Sequence, residues 1–226
     1  MANQNITLIE DVFKRLNTKK IKYVVLRNWE LFFDDLFIEG HNDIDLLCKN
    51  SFHKGKLIKT FNAIPIANTF GSKYISFIGG QRIILDIRIV GDGYYCKKWE
   101  NNMIKNRVFD SRGFFILCNA DYKHSLIYHV LIQKKDISVS YLERFKKWEL
   151  ELNKNSLFSI LQNYMSVMEY YFSKPFDKFV VQNDEFLNKE HIIFEKTTKN
   201  MQLLFSLKCF LKKTKNRIIH PRHQAK

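Results

Sequence analysis

Two strand-like runs, Lys73 to Ile78 and Gln81 to Val90, stand only two residues apart, and those two residues are Gly79 and Gly80. Two-residue loops select turns that require positive φ, which glycine supplies without strain, so the runs are committed to an antiparallel hairpin. The loop also sets the register: with Ile78 opposite Gln81, Lys73 falls opposite Asp86 and Phe77 opposite Arg82. Side chains alternate between the faces of a strand, which puts Arg82, Ile84, Asp86 and Arg88 on one face and Ile83, Leu85, Ile87 and Ile89 on the other. The second face belongs to a core. The first brackets one carboxylate with three bases, Lys73, Arg82 and Arg88, a combination suited to a metal-bound triphosphate.

About forty residues upstream, Asn42-Asp43-Ile44-Asp45-Leu46-Leu47 reads as a second strand carrying carboxylates. Asp43 and Asp45 must point the same way while Ile44 and Leu46 point the other. Two adjacent like charges are costly unless a cation neutralises them. Mg²⁺, or Mn²⁺ in its place, is the expected answer, because it takes oxygen ligands from one or two carboxylates and completes its shell with substrate phosphates. Asp86 on the hairpin adds a third carboxylate. Two-metal displacement at phosphorus uses such a set to hold ions about 3.5–4 Å apart.

The remaining elements follow from periodicity and capping. Thr7 and Glu10 form a capping box for a first helix ending near Asn17, with Leu8, Ile9, Val12, Phe13 and Leu16 as its apolar stripe. Lys22 to Leu26 is a buried strand with Arg27-Asn28-Trp29 as its exit, and Glu30 to Gly40 a short helix or loop. Ser51 is expected to cap a second helix with Phe52, Leu57, Ile58 and Phe61 inward, ending by Pro65. Asp92, between two glycines, reads as a turn residue. A helix over Lys97 to Lys105 and a strand at Phe114 to Leu117 close the first unit.

Beyond it the chain reads as helical: Asp121 to Lys134, a helix opened by Ser140-x-x-Glu143 and running through Trp148 and Leu152, and another from Leu157 to Phe172. A strand is expected at Phe179 to Val181 and a last helix at Lys199 to Lys213. The fold class is therefore α+β, a mixed sheet flanked by helices over residues 1–118 followed by a mainly helical region with a basic tail over 119–226.

With 46% hydrophobic residues the chain can bury a core, and no apolar run approaches the roughly eighteen residues that cross a bilayer. The first residues lack the layout of a secretory signal, so a cytoplasmic location is expected. Cys48, Cys96, Cys118 and Cys209 form no CxxC pair and read as core thiols. His124 and His129 are five residues apart, which does not place them on one helical face as ligands, and they read as structural. The net charge of +14 implies an anionic partner. Half of it lies between Lys208 and Lys226, where seven Lys or Arg occur without an acid. That tail is compatible with nucleic acid, with the inner face of a membrane as a peripheral contact, or with solvent alone.

The order helix, strand, loop, Asp-x-Asp strand, helix, strand with a single Asp resembles the nucleotidyltransferase superfamily, whose fold is that of the polymerase-β palm, over about Ile21 to Val90. The resemblance implies that Asp43 and Asp45 are the metal-binding pair and that Asp86 is the third carboxylate, which in polymerising members helps deprotonate the attacking hydroxyl. The family usually carries Gly-Ser or Gly-Gly after its first strand, to hold phosphates on backbone amides; here Arg27-Asn28 occupies that place. Arg27 could instead lay a guanidinium fork on a phosphate. More distantly the chain is similar to phosphotransferases of the LicD and fukutin type, which use CDP-linked donors. The Tyr-Val-Val-Leu-Arg-Asn-Trp strand also looks like bacterial nucleotidyltransferases encoded among surface-polysaccharide genes.

The expected function is a Mg²⁺-dependent transferase of nucleotidyl or phospho-alcohol groups. Its donor would be a nucleoside triphosphate or CDP-alcohol and its acceptor a glycan or small molecule, with the helical region shaping the acceptor site. Asp43, Asp45 and Asp86 carry metal and catalysis; Arg27, Asn28, Lys73, Arg82 and Arg88 hold phosphate; His41 and Asn42 stand where they could touch substrate. The alternative is a module that has lost chemistry and keeps affinity for nucleotide or RNA.

Overall fold

The computed structural model describes residues 8–31, 43–67, 72–133, 139–151, 153–172 and 192–194. Its first compact unit, Met1–Lys123, is built on the hairpin. Strands β4 (Lys73–Ile78) and β5 (Gln81–Ile89) pair antiparallel with Lys73 opposite Asp86, Phe77 opposite Arg82 and Ile78 opposite Gln81, the register that the two-residue loop requires. Gly79 and Gly80 have φ of 57° and 80°, positive at both turn positions.

Seven strands complete a mixed sheet. To β4 and β5 are added β1 (Tyr23–Val25), β2 (Asp43–Cys48), β3 (Ile64–Pro65), β6 (Val108–Phe109) and β7 (Phe115–Ile116), in the order β3-β4-β5-β2-β1-β7-β6. The β2–β5 and β1–β7 pairs are parallel and the others antiparallel. With its helices this is an α+β fold.

One face of the sheet is closed by α1 (Ile9–Thr18) and α2 (Ser51–Thr60), whose buried side chains join Ile44, Leu46, Ile83, Leu85 and Ile87 in one core. Phe13 is at its centre, with ring centroids 4.9 Å from Phe114, 5.8 Å from Tyr23 and 6.1 Å from Phe61. On α1 the buried residues are Ile9, Val12, Phe13 and Leu16. Leu8 departs from the expected stripe: it is the extended N-cap residue and is 57% exposed, because a residue ahead of the first turn is not carried round by the helix. The capping box lies on Thr7, outside the described residues.

Helix α2 also differs from expectation at its start. Asn50, not Ser51, is the cap, with its side-chain oxygen accepting from His53 N at 3.1 Å. Leu57 and Phe61 are buried, whereas Phe52 is 60% exposed under the ammonium of Lys56. Five residues at 3.6 per turn place Phe52 about 140° round from Leu57, so both cannot face one core. Pro65 does not end the helix but belongs to the short edge strand β3. β6 was not anticipated from the sequence, since two residues carry no periodicity.

His53 makes stability depend on pH. Its Nδ1 accepts from Lys22 N at 3.2 Å, which requires the unprotonated ring. Partial burial, then the charges of Lys22, Lys56 and Arg107, hold its pKa below the ordinary value. A lowered folded-state value favours the fold above the ordinary imidazole pKa and withdraws that contribution as pH falls through the folded one. Wild-type protein should therefore lose more thermal stability between pH about 7.5 and about 5 than His53→Gln does. Equal losses in the two proteins would remove His53 as the cause.

The opposite face carries Val24 and Leu47, both buried, and α3 (Lys97–Lys105) packs against β1 and β2. Cys48 and Cys96 are buried, and burial pushes the Cys48 thiol up to about 12, as inert core thiols require, whereas Cys118 is only partly buried and does not belong to the core. Cys209 lies outside the described residues.

The second unit, His124–Lys226, begins within α4 (Asn119–Tyr128). That helix passes into a π-helical turn, His129–Gln133, where a continuous α-helix to Lys134 was expected. Then come α5 (Val139–Lys147) and α6 (Lys154–Ser166), which Asn153 caps by accepting from Ser156 N at 2.7 Å. The helix expected to reach Phe172 stops at Ser166; Tyr170–Phe172 is instead β8, paired antiparallel with β9 (Ile192–Phe194). Aromatic β-formers there favour the ladder over another helical turn. His124 stacks on Tyr164 at 3.6 Å and His129 is buried near Tyr141, so both histidines are packing residues. The strand expected at Phe179 to Val181 and the helix at Lys199 to Lys213 with its basic tail lie outside the described residues.

Candidate functional site

Parallel pairing of β2 with β5 sets Asp43 beside Ile84, Asp45 beside Asp86 and Leu47 beside Arg88. Two strands separated by more than thirty residues thus bring two carboxylates side by side on one face of the sheet. Asp43, first on β2, is exposed, whereas Asp45 is only 7% exposed. The β4 partner of Asp86 is Lys73.

Each member of the carboxylate pair has its own arginine. Arg27, at the exit of β1, is buried and places Nε at 3.0 Å and Nη2 at 2.8 Å from Asp45 Oδ2. The guanidinium expected to meet a phosphate therefore meets Asp45. Its neighbour Asn28 has φ 58°, in the left-handed region that asparagine tolerates better than most residues, and this bend carries the chain off the end of β1. Arg88 sits two residues from Asp86 on the same face, with Nη2 donating to Oδ2 at 3.2 Å. Its Nε lies 2.9 Å from Oδ1 but out of line, so those two buried atoms form an ion contact without a hydrogen bond.

Burial raises the Asp86 carboxyl above the usual range. Arg88 pulls it back, Asp45 adds to the rise, and Lys73 opposes it with a smaller effect. Burial is the main cause of the rise, and the neighbouring carboxylate a lesser one. Arg82 stands further along β5, exposed and opposite Phe77, so it does not join the Asp45–Asp86 pair. His41 and Asn42 lie outside the described residues.

Tyr94 is the residue that sequence reasoning missed. Its hydroxyl accepts from Arg27 Nη2 at 2.8 Å, and its ring lies 4.3 Å from the guanidinium carbon of Arg88. One tyrosine thus touches both arginines. Its position comes from the loop between β5 and α3: Asp92 accepts from Tyr94 N at 2.9 Å, and Glu100, fully buried, accepts from Gly91 N at 2.6 Å and Tyr95 N at 3.0 Å. Asp92 is the turn residue its glycine neighbours implied. The signal for Tyr94 was its place directly after that turn, where a bulky residue must fold back on the sheet.

Comparison of the chain with protein-family models, with curated proteins and with solved structures found no match.

Among the described residues, no group of three or more His, Cys, Asp or Glu is arranged to hold a metal ion. Magnesium does not need one, since one or two carboxylates plus substrate phosphates suffice. The exposed carboxylate of Asp43 fits that role, whereas Asp86 Oδ1, buried and 2.9 Å from Arg88 Nε, would take a metal only by giving up that ion contact. Asp45 fits less well, because Oδ2 already receives two N–H groups from Arg27.

Replacing Tyr94 by Phe should keep the ring beside Arg88 and remove one acceptor from a buried guanidinium. The expected loss is about 1–3 kcal/mol in chemical unfolding. A stability equal to wild type would mean that the bond to Arg27 contributes nothing net.

Proposed function

We propose that this chain is a Mg²⁺-dependent transferase that moves a nucleotidyl or phospho-alcohol group from a nucleotide donor to a hydroxyl or phosphate acceptor on a glycan or small molecule. The observation that carries the reading is the in-register pair Asp45–Asp86 with Asp43 exposed on the same face and Arg88 and Lys73 beside it. Asp43 and Asp86 are the residues that would hold the metal, with Mn²⁺ as a substitute. When bound, the ion neutralises charge on the donor phosphates.

The chain's own groups have separable tasks. Asp86 would also accept the proton of the acceptor hydroxyl. Arg88 orients it from the same face. Lys73 and the exposed Arg82 offer charge to donor phosphates. Arg27 acts through Asp45, fixing the position of that carboxylate in a site where solvent is scarce. No described helix is long and apolar enough to cross a membrane.

One observation favours a second reading. The double donation from Arg27 to Asp45 supplies internally the cation that a metal would bring, as expected of a module that has kept nucleotide or RNA affinity and lost chemistry. Titration calorimetry with Mg²⁺ and each nucleoside triphosphate or CDP-alcohol, followed by a labelled-donor transfer assay, separates the two. Metal-dependent donor binding with transfer supports the enzyme. Binding that ignores Mg²⁺ and yields no labelled product across the acceptor panel would favour the lapsed module.

A further inference from the structure

Strand register aligns more than charge on the face that carries Asp43. Ile64 of β3 pairs with Ile75 of β4, Ile75 with Ile84 of β5, and Ile84 with Asp43 of β2. Directly paired residues project to the same side, so four strands contribute one continuous row: three isoleucines ending at an exposed carboxylate. Ile64 is 63% exposed, and Ile75 and Ile84 are half-buried. In the neighbouring row Phe77, 58% exposed, pairs with Arg82; in the row on the other side Lys73 pairs with Asp86. An apolar lane about 10 Å long at the spacing of adjacent strands thus runs toward the candidate site with a cation on each flank. Isolated exposed apolar residues need no explanation, but a register-aligned row beside a cluster of charges does.

We infer that this lane binds the hydrocarbon chain of an amphipathic phosphate ester, a lipid-linked phosphate, with Lys73 and Arg82 attracting its head group toward Asp43 and Asp86. Lys73 and Arg82, the exposed charges on the two flanks, are positive against one exposed carboxylate, Asp43, at the lane's end, a balance that favours an anion. A nucleic-acid strand is the poorer match. It needs successive rings to stack on, and among these residues only Phe77 offers one. The inference rests on the transfer reading for the role of Asp43, but the lane itself can be tested without turnover.

The full chain would be titrated calorimetrically with butyl, octyl and dodecyl phosphate below their micelle concentrations, with inorganic phosphate and dodecyl maltoside as controls. Affinity should tighten with chain length, by up to about fourfold for each methylene buried, and level off once the chain overruns the lane. The neutral maltoside should bind at least tenfold more weakly than dodecyl phosphate. Phe77→Ser, at an exposed position that leaves folding intact, and Ile75→Thr, which keeps a strand-forming residue, should blunt the chain-length dependence and spare inorganic phosphate. Arg82→Gln should weaken all the phosphates.

Octyl and dodecyl phosphate binding no tighter than inorganic phosphate would overturn the inference. So would tight binding untouched by both lane variants, or a concentration-dependent dimer that Phe77→Ser abolishes. Asp43→Asn separates the two levels: losing transfer while keeping chain-length-dependent binding supports both, keeping transfer removes Asp43 from the catalytic set without touching the lane, and chain-length-dependent binding with no transfer by the wild type sinks the enzyme reading alone.

Discussion

Asp45→Ala should cost about 3–5 kcal/mol of stability, the loss expected when one partner of a buried ion pair is removed and the other charge stays behind. Arg27 and Asp45 are joined by two hydrogen bonds, and their side chains are 5% and 10% exposed. The cost comes less from the lost attraction than from a guanidinium left in a water-poor site without its carboxylate. A domain of ordinary stability has roughly 5–15 kcal/mol in total, so the variant should sit close to unfolding. Asp45→Leu combined with Arg27→Met should recover most of the loss, since replacing both charges by apolar groups of similar size is often neutral. Urea titrations of the single and double variants decide this. A single variant as stable as wild type would show that Arg27 finds water or another acceptor.

On the proposed transferase reading, Asp43→Asn should lower transfer at least about 10²-fold, because the metal that Asp43 would hold supplies several kcal/mol of transition-state charge stabilisation and each 1.36 kcal/mol is a factor of ten. Stability should stay within about 0.5 kcal/mol of wild type, since Asp43 is exposed at the start of β2. The two aspartates of the Asp-x-Asp strand are thus unequal probes. Replacing both together would confound lost chemistry with lost folding, whereas Asp43 alone reports on function. The checks are initial rates with the labelled donor identified by the binding screen, and thermal unfolding of the same preparation. Undiminished transfer by a folded Asp43→Asn protein would exclude Asp43 from the catalytic set.

Which parts of this site were readable in advance depends on how far apart in the chain its causes lie. The Lys73–Asp86 pairing and the face shared by Arg82, Asp86 and Arg88 were legible because a two-residue glycine loop and a period of two act over a few residues. The inward Leu57 and outward Phe52 were not separated, because a loosely amphipathic helix does not say which of its apolar residues meets the core. The capping residue of α2 was displaced by one position, since Asn50 and Ser51 are both good caps and only the chain's approach to the helix selects between them. Arg27 was placed near the site but assigned to a phosphate. The partner that the structure gives it, Asp45, lies eighteen residues away, on a strand whose neighbour is not encoded in its own periodicity.

By itself the sequence determined strands β1, β2, β4, β5 and β7, the hairpin register, the face that Asp43, Asp45 and Asp86 occupy on their own strands, and the absence of cysteine or histidine motifs that would compete with them. These are local matters, settled by steric alternation, turn geometry and burial of apolar side chains. Tertiary structure alone decided that β2 lies parallel to β5 with Asp45 next to Asp86, that Arg27 bends back onto Asp45, and that Tyr94 bridges the two arginines. It also decided that Ile64, Ile75 and Ile84 fall into one row. Alternation assigns a residue to a face but not to a neighbour, and neighbours follow from which strands pack together around one core. The electrostatics of this site, with each buried carboxylate held by its own guanidinium, are therefore a product of strand order.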